Sequence, residues 1–127
     1  MTGTLYEPER APDPREWLAL DESERIRLVK NYHVAARIKT EKLKLHALYH
    51  MIVENQIATG FGPTCHAVKR LQKEKLTRHD ALHVVASVIA QFMHDSMRGK
   101  VSASVQHAQQ DLNARIEALT ADSWRKS

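Results

Sequence analysis

The feature that most constrains the fold of this chain is a series of apolar stripes with helical spacing. Between about residues 22 and 38, apolar side chains recur three or four positions apart, which is the spacing of one buried helix face. No segment alternates with the period of a strand. The pattern predicts an all-α protein, a single antiparallel helical bundle of four to five helices with an extended N-terminal arm. The further helices are predicted at about 41–58, at about 63–75, between Thr77 and Gly99, and at about 102–120.

Residues that typically start and stop helices lie at the ends of these stripes. Asp21 with Glu24, and Thr77 with Asp80, have the spacing of a capping box, in which the first side chain accepts a hydrogen bond from the backbone of the first turn. The segment Gly60–Pro63 offers glycines for a helix C-terminus and a proline that can open the next helix. The predicted connections are therefore short.

The N-terminal residues differ from the rest in composition. Residues 1–15 contain three of the four prolines and no apolar period, so we expect a flexible acidic arm. We assign residues 16–122 to the helical bundle domain and residues 123–127 to a tail. The start of the sequence has no signal-like apolar region, and no window approaches a membrane-spanning length. We therefore expect no membrane association and a cytoplasmic location of a bacterial type.

Basic residues are concentrated directly after this acidic region. Residues 25–44 hold seven Lys or Arg against Glu41 alone. Such clustering is found on ordinary solvated helix faces, and it is also found where an anionic partner binds. One alternative function is therefore a non-catalytic binding module for nucleic acid or a protein partner, with structural histidines. The nucleic-acid contacts would be weak and non-specific, through Lys39, Lys42, Lys44, Lys69, Arg70 and Lys73. The last amphipathic helix could also meet a second copy in a homo-oligomer.

Histidines occupy the predicted inner faces of the helices. His46 and His50 form one HxxxH pair and His79 and His83 form another, and residues four apart in a helix lie about 6 Å from each other on one face. Glu54 adds a carboxylate four positions after His50. Such side chains on facing helices are how bundles bind metals. The predicted metal ligands are His46, His50, Glu54, His79 and His83, with His33 as an orienting neighbour or an additional ligand.

The chemistry of these ligands favours some ions over others. Imidazole suits transition metals such as Zn or Fe better than Mg or Ca, which prefer oxygen ligands. A metal-free polar network or a lined pocket is the alternative, and in such a core Glu54 would pair with a protonated histidine or a basic side chain such as Arg78. Whether the protein is an enzyme stays open. In the segment from His79 to His83, Asp80 stands where the zinc-hydrolase motif HExxH has Glu, which argues against a peptidase.

The segments His46–Gln56 and Arg78–His83 resemble a motif of a bacterial protein family. That pattern is HxxxHxxxExQ…HExxH, found in small helical proteins of unknown function, and the resemblance covers about residues 45–90. It implies that both HxxxH pairs, Glu54 and Gln56 belong to one site, but it brings no activity. Asn55 and Asp80 stand where the pattern favours Glu. We expect Gln56 and Asp80, like His33, to lie beside the ligands and orient them.

Overall fold

A computed structural model describes residues 6–36 and 43–126 of the chain. Over these ranges the protein is all-helical, as the apolar stripes predict, and it contains seven helices and no strand. The helices are α1 (Pro14–Ala19), α2 (Glu22–Ala35), α3 (Leu43–Ala58), α4 (Gly62–Lys73), α5 (Arg78–Met97), α6 (Val105–Glu117) and α7 (Ala121–Lys126).

Five of these helices correspond to the five predicted stripes, and two short helices were not predicted. The predicted end of the first helix and start of the second fall partly within residues 37–42, outside the described residues. The helix α1 has a sequence signal that could have revealed it. Asp13 accepts hydrogen bonds from the backbone amides of Arg15 and Glu16, and Pro14 occupies the first turn. An Asp-Pro pair of this kind is typical of a helix start.

The helix ends confirm most of the predicted caps. The Thr77 side chain accepts a hydrogen bond from the Asp80 amide at the start of α5. Asp21 precedes α2, but its side chain makes no capping hydrogen bond, so the predicted capping box is wrong there. Gly60 follows α3 with a φ of 77°, and the amide of Phe61 donates to the carbonyl of Gln56. This positive φ is well tolerated by glycine and closes the helix end.

The expected flexible arm is instead packed against the helices over its described part. Tyr6 and Pro8 are buried, and Arg78 donates a hydrogen bond of 2.8 Å to the carbonyl of Pro8. The backbone amide of Arg78 donates to the Glu9 carboxylate. The segment has no apolar period because single side chains, rather than one helix face, attach it. The contacts of Tyr6, Pro8 and Glu9 thus correct the expectation of an extended arm at these residues, while the boundary between the arm and the bundle domain stays a prediction.

The helix α3 lies at the centre, packed against α1, α2, α4 and α5, while α6 packs on α4 and α5. Two groups of buried apolar residues hold these contacts. The smaller group joins the N-terminal segment, α1, α2 and α3 and includes Tyr6, Trp17 and Val29. The larger group, called the apolar core below, lies among α3, α4, α5, α6 and α7. It consists of Val53, Ala67, Val68, Leu71, Ala81, Leu82, Val84, Val85, Ile89, Ile116 and Ala121.

None of the helices in the described part of the chain combines the length and apolar character needed to cross a membrane.

Candidate metal centre

Four histidines from three helices meet in one volume between α2, α3 and α5. Each contributes one ring nitrogen, and these four nitrogens all lie within 4.8 Å of one another. We call this group the histidine cluster: His33 from α2, His46 and His50 from α3, and His83 from α5. The HxxxH spacing places His46 and His50 on one face of α3, which faces α2 and α5. His33 and His50 are fully buried, whereas His46 and His83 are partly exposed.

Three ring nitrogens make the closest contacts in the cluster. Nε2 of His46 lies 3.1 Å from Nε2 of His33 and 3.1 Å from Nε2 of His83. Nδ1 of His33 lies 2.8 Å from the carbonyl oxygen of Val29, which can only accept a hydrogen bond. Nδ1 of His33 therefore carries a proton, and in the tautomer with this single proton Nε2 presents a lone pair to the cluster.

The protonation of His50 is set by Tyr6. The Tyr6 hydroxyl donates its one proton to the Glu54 carboxylate, so it accepts a hydrogen bond from Nε2 of His50 at 2.9 Å. Nε2 of His50 thus carries the proton, which leaves a lone pair on Nδ1. That Nδ1 is buried and has no hydrogen-bond partner among the described residues. Burial, and then the charge of Glu54, raise the pKa of Tyr6 and keep its hydroxyl protonated.

Glu54 lies behind this tyrosine in a buried ion pair. Its two carboxylate oxygens accept hydrogen bonds of 2.8 Å from the two Nη atoms of Arg78. Although burial alone lowers the pKa of Arg78, the hydrogen bonds and charge of Glu54 raise it overall. The sequence predicted Glu54 as a ligand. In the structure Glu54 is not one of the four residues whose ligand atoms meet. It forms an ion pair with Arg78, which is the partner expected for Glu54 in a metal-free core.

His79, the other predicted ligand outside the group of four, lies against the cluster. Its ring centroid is 4.2 Å from that of His83, and its ring stacks on His50 at 5.3 Å. Nε2 of His79 is buried and has no hydrogen-bond partner among the described residues. The region thus holds a fifth imidazole beside the four whose nitrogens meet.

The expected orienting neighbours lie in different places. His33 is a member of the cluster itself. Gln56 accepts a hydrogen bond from the Thr64 hydroxyl at 2.6 Å, on the side of α3 that faces α4. Asp80 is exposed in the first turn of α5, where its charge acts to raise the pKa of His79. Residue spacing alone could not predict that His33 joins the cluster while Gln56 and Asp80 lie away from it, because spacing does not show how far a side chain reaches.

Three histidines of the cluster, His46, His50 and His83, are held in their neutral form. Burial is the largest cause, and the neighbouring imidazoles add to it, so the pKa of His83 falls to about 3. The same causes, in the same order, lower the pKa of His46 and of His50. A neutral imidazole is the form that binds a metal ion, because the ion needs the lone pair that a proton would occupy.

Three histidines and the basic residues of the predicted nucleic-acid contacts were expected to lie outside the metal site. His66, His94 and His107 are exposed, as predicted. Among the basic residues, Lys39 and Lys42 lie outside the described residues, and Lys44, Lys69 and Lys73 are exposed. Arg70 donates hydrogen bonds to the carbonyls of Ile116 and Leu119 at the end of α6, so its guanidinium is used within the fold. Binding of nucleic acid and self-association through the last helices stay predictions.

Comparisons with protein families, with characterised proteins and with solved structures found no match. The resemblance to the HxxxHxxxExQ…HExxH pattern therefore stays an expectation from the sequence.

Proposed function

We propose that this protein binds a divalent transition metal ion, Zn(II) or Fe(II), through the four histidines of the cluster. The ligand atoms would be Nε2 of His33, His46 and His83 together with Nδ1 of His50. An antiparallel bundle of the longer helices would serve as the scaffold, and the packing of α3 against α2 and α5 supports this arrangement. The proposal assigns metal binding and no reaction.

The proposal rests mainly on the number of protons available to three neighbouring nitrogens, Nε2 of His33, His46 and His83. In the neutral His33 ring Nε2 has no proton, because the single proton of that ring is on Nδ1. If Nε2 of His46 donates to His33, its contact with His83 has no hydrogen bond. If it instead accepts from His83, its contact with His33 brings two lone pairs together at 3.1 Å. Three neutral imidazoles therefore make at most one linear hydrogen bond across these two contacts, whereas a metal ion would accept a lone pair from each of the three nitrogens.

The distances support the same conclusion. In a tetrahedral site with metal-nitrogen bonds of about 2.0–2.1 Å, neighbouring ligand nitrogens lie roughly 3.4 Å apart. The two Nε2 separations of 3.1 Å in the cluster are within a few tenths of an ångström of that value. The unpartnered Nδ1 of His50 supplies a fourth lone pair. Four imidazoles and no carboxylate favour Zn or Fe over Mg or Ca.

In this proposal Glu54 orients a ligand rather than binding the ion. Glu54 accepts from the Tyr6 hydroxyl and Tyr6 accepts from Nε2 of His50, and these two hydrogen bonds leave the lone pair of the His50 ring on Nδ1. Arg78 fixes the Glu54 carboxylate through two hydrogen bonds. Carboxylates that act through a ligating histidine commonly set its tautomer and basicity.

The direct test is metal binding by protein that carries no polyhistidine tag. After treatment with a chelator, titration with Zn(II) in a calorimeter should show one equivalent bound, and Co(II) should give the visible absorption of a tetrahedral site. Replacing a residue that only orients a ligand typically lowers metal affinity by roughly 10- to 100-fold. The variant His46→Gln removes a ligand, so its Zn(II) affinity should fall by more than this. The matched control is His107→Gln, because His107 is exposed in α6. If wild type, His46→Gln and His107→Gln bind equally weakly, the histidines are structural.

A second variant tests the orienting chain. Tyr6→Phe removes only the hydroxyl that accepts from His50, so we expect the fold to remain and Zn(II) affinity to fall by roughly 10- to 100-fold. Tyr32→Phe is the control, since the Tyr32 ring meets His33 edge-on but its hydroxyl is not bonded to the cluster. Equal affinity in the two variants would contradict the role given to Tyr6.

A further inference from the structure

A cleft opens beside the two less buried members of the histidine cluster. Its volume is about 360 Å³, and its walls include the side chains of His46 and His83. The opposite members, His33 and His50, are only 0% and 1% exposed. A molecule from solvent can therefore approach the cluster from the cleft, past His46 and His83, whereas the burial of His33 and His50 closes the other side.

Apart from Ser87, the remaining walls of the cleft are apolar or aromatic. Tyr49 comes from α3, Ala86 and Ala90 come from successive turns of α5, and Trp124 comes from α7. None of the described residues that line the cleft is Asp, Glu, Lys or Arg. The hydroxyl of Ser87, which also lines it, donates to the carbonyl of His83. In the metal-free protein a charged ligand would lose its hydration here without gaining an opposite charge, which is costly.

The size of the cleft limits the ligand further. An apolar cavity of roughly 150 Å³ can hold benzene, so a volume of about 360 Å³ has room for a molecule with one or two rings. The aromatic rings of Tyr49 and Trp124 offer stacking surfaces, while the small side chains of Ala86 and Ala90 leave the space open.

We propose that this cleft binds a small, uncharged, mostly apolar ring molecule that carries one oxygen or nitrogen donor atom. The donor atom points toward His46 and His83 and binds the metal ion there as a fifth ligand, since a zinc site can expand from four to five ligands. This inference rests on the proposed metal site for the donor atom, whereas the apolar walls are independent of the metal.

The test uses 2-naphthol, a neutral two-ring molecule with one oxygen donor. We expect it to bind metal-free protein and to shift the backbone amide signals of Ala86 and Ala90 in NMR spectra. Zn(II)-loaded protein should bind it at least 10-fold more tightly, because the oxygen gains a metal bond. Naphthalene-2-sulfonate, which has the same rings and a negative charge, should bind the metal-free protein at least 10-fold more weakly.

Two variants that fill the cleft provide the structural control. Ala90→Leu, and independently Ala86→Leu, should weaken 2-naphthol binding by at least 10-fold while leaving Zn(II) affinity unchanged. Ala114→Leu adds the same side chain on the exposed face of α6, so it should change neither 2-naphthol binding nor Zn(II) affinity. Two different variants are used because a single one could disturb the folding of α5.

The outcomes separate this inference from the proposed function. Failure of 2-naphthol to bind either form, or binding that neither alanine variant weakens, overturns the cleft as a ligand site. Equal affinity in the metal-free and Zn(II)-loaded forms overturns the metal-directed donor atom. A self-associated protein that Ala90→Leu converts to a monomer would show that a second copy occupies the cleft instead, which also overturns the inference. Failure of the metal site itself appears separately, as no Zn(II) binding without 2-naphthol.

Discussion

The apolar core and the histidine cluster share two helices, α3 and α5, but are held in different ways. In the apolar core, Leu71, Leu82 and Ile116 are all 0% exposed, and their side chains need no hydrogen-bond partner. In the histidine cluster, His33 and His50 are equally buried, and each ring has two nitrogens that need a partner. Burial of the first region is favourable by itself, whereas burial of the second requires hydrogen bonds or an ion.

The helix α5 shows how one segment serves both regions. His79 and His83 lie on the face toward α2 and α3, while Leu82, Val85 and Ile89 lie in the apolar core. His79 and His83 are four positions apart and share one face, and Leu82, Val85 and Ile89 are three and four positions apart and share another. The apolar core therefore fixes the backbone that places the histidines. One face of α5 thus belongs to the apolar core and the other to the candidate metal site.

The largest effect is expected from separating the buried ion pair behind the histidine cluster. Arg78→Met would leave the Glu54 carboxylate buried without its charge partner, and such a change costs about 3–5 kcal/mol. The ion pair is nearly inaccessible to water, with 7% and 0% of the two side chains exposed, so solvent would compensate little. The free energy of unfolding in urea measures this loss.

A double variant sharpens the same test. Glu54→Gln combined with Arg78→Met removes both charges and keeps an oxygen that accepts from Tyr6, so we expect it to be more stable than Arg78→Met alone. If the double variant were the less stable of the two, the unpaired charge would not be the cause.

A somewhat smaller loss is expected from the apolar core. Leu71→Ala removes a fully buried side chain from α4 and leaves a cavity, which typically costs about 2–5 kcal/mol. Because Leu71 belongs to the apolar core rather than the histidine cluster, Zn(II) affinity of the folded variant should equal that of wild type. Urea unfolding and calorimetric titration of the same preparation measure the two quantities. A large loss of Zn(II) affinity would show that the two regions are not separable.

The smallest effect on stability is expected for a change of one pH unit, and it should arise from the histidine cluster. The folded pKa of His83 is lowered from 6.5 to about 3, so between these values the unfolded chain binds a proton that the folded protein does not. The stability of the metal-free protein should therefore fall as the pH drops below 6.5, by about 1.4 kcal/mol per pH unit from this group. The lowered pKa values of His46 and His79 act in the same direction.

Urea unfolding at pH 8.0, 6.5 and 5.5 would measure this dependence. The variant His83→Gln has no titrating ring at that position, so its stability should depend less steeply on pH. An identical slope in wild type and variant would mean that the pKa of His83 does not differ between the folded and the unfolded protein.

The sequence by itself determined the all-helical fold, most helix ends and the histidines that approach one another. Helical spacing carries this information because it fixes which residues share a face, as for His46 and His50 or for the stripe that ends at Gly60. The exposed positions of His66, His94 and His107 were predicted for the same reason.

Only the tertiary structure decided which side chains complete the site. Tyr6 is 44 residues from His50 in the chain and has no periodic neighbours, so nothing local to it predicts the hydrogen bond between them. Glu54 has the right spacing for a ligand, yet Arg78 and Tyr6 occupy its oxygens because α5 and the N-terminal segment both pack onto α3. Spacing fixes the face on which a side chain lies, and the packing of distant segments fixes the partner that it meets.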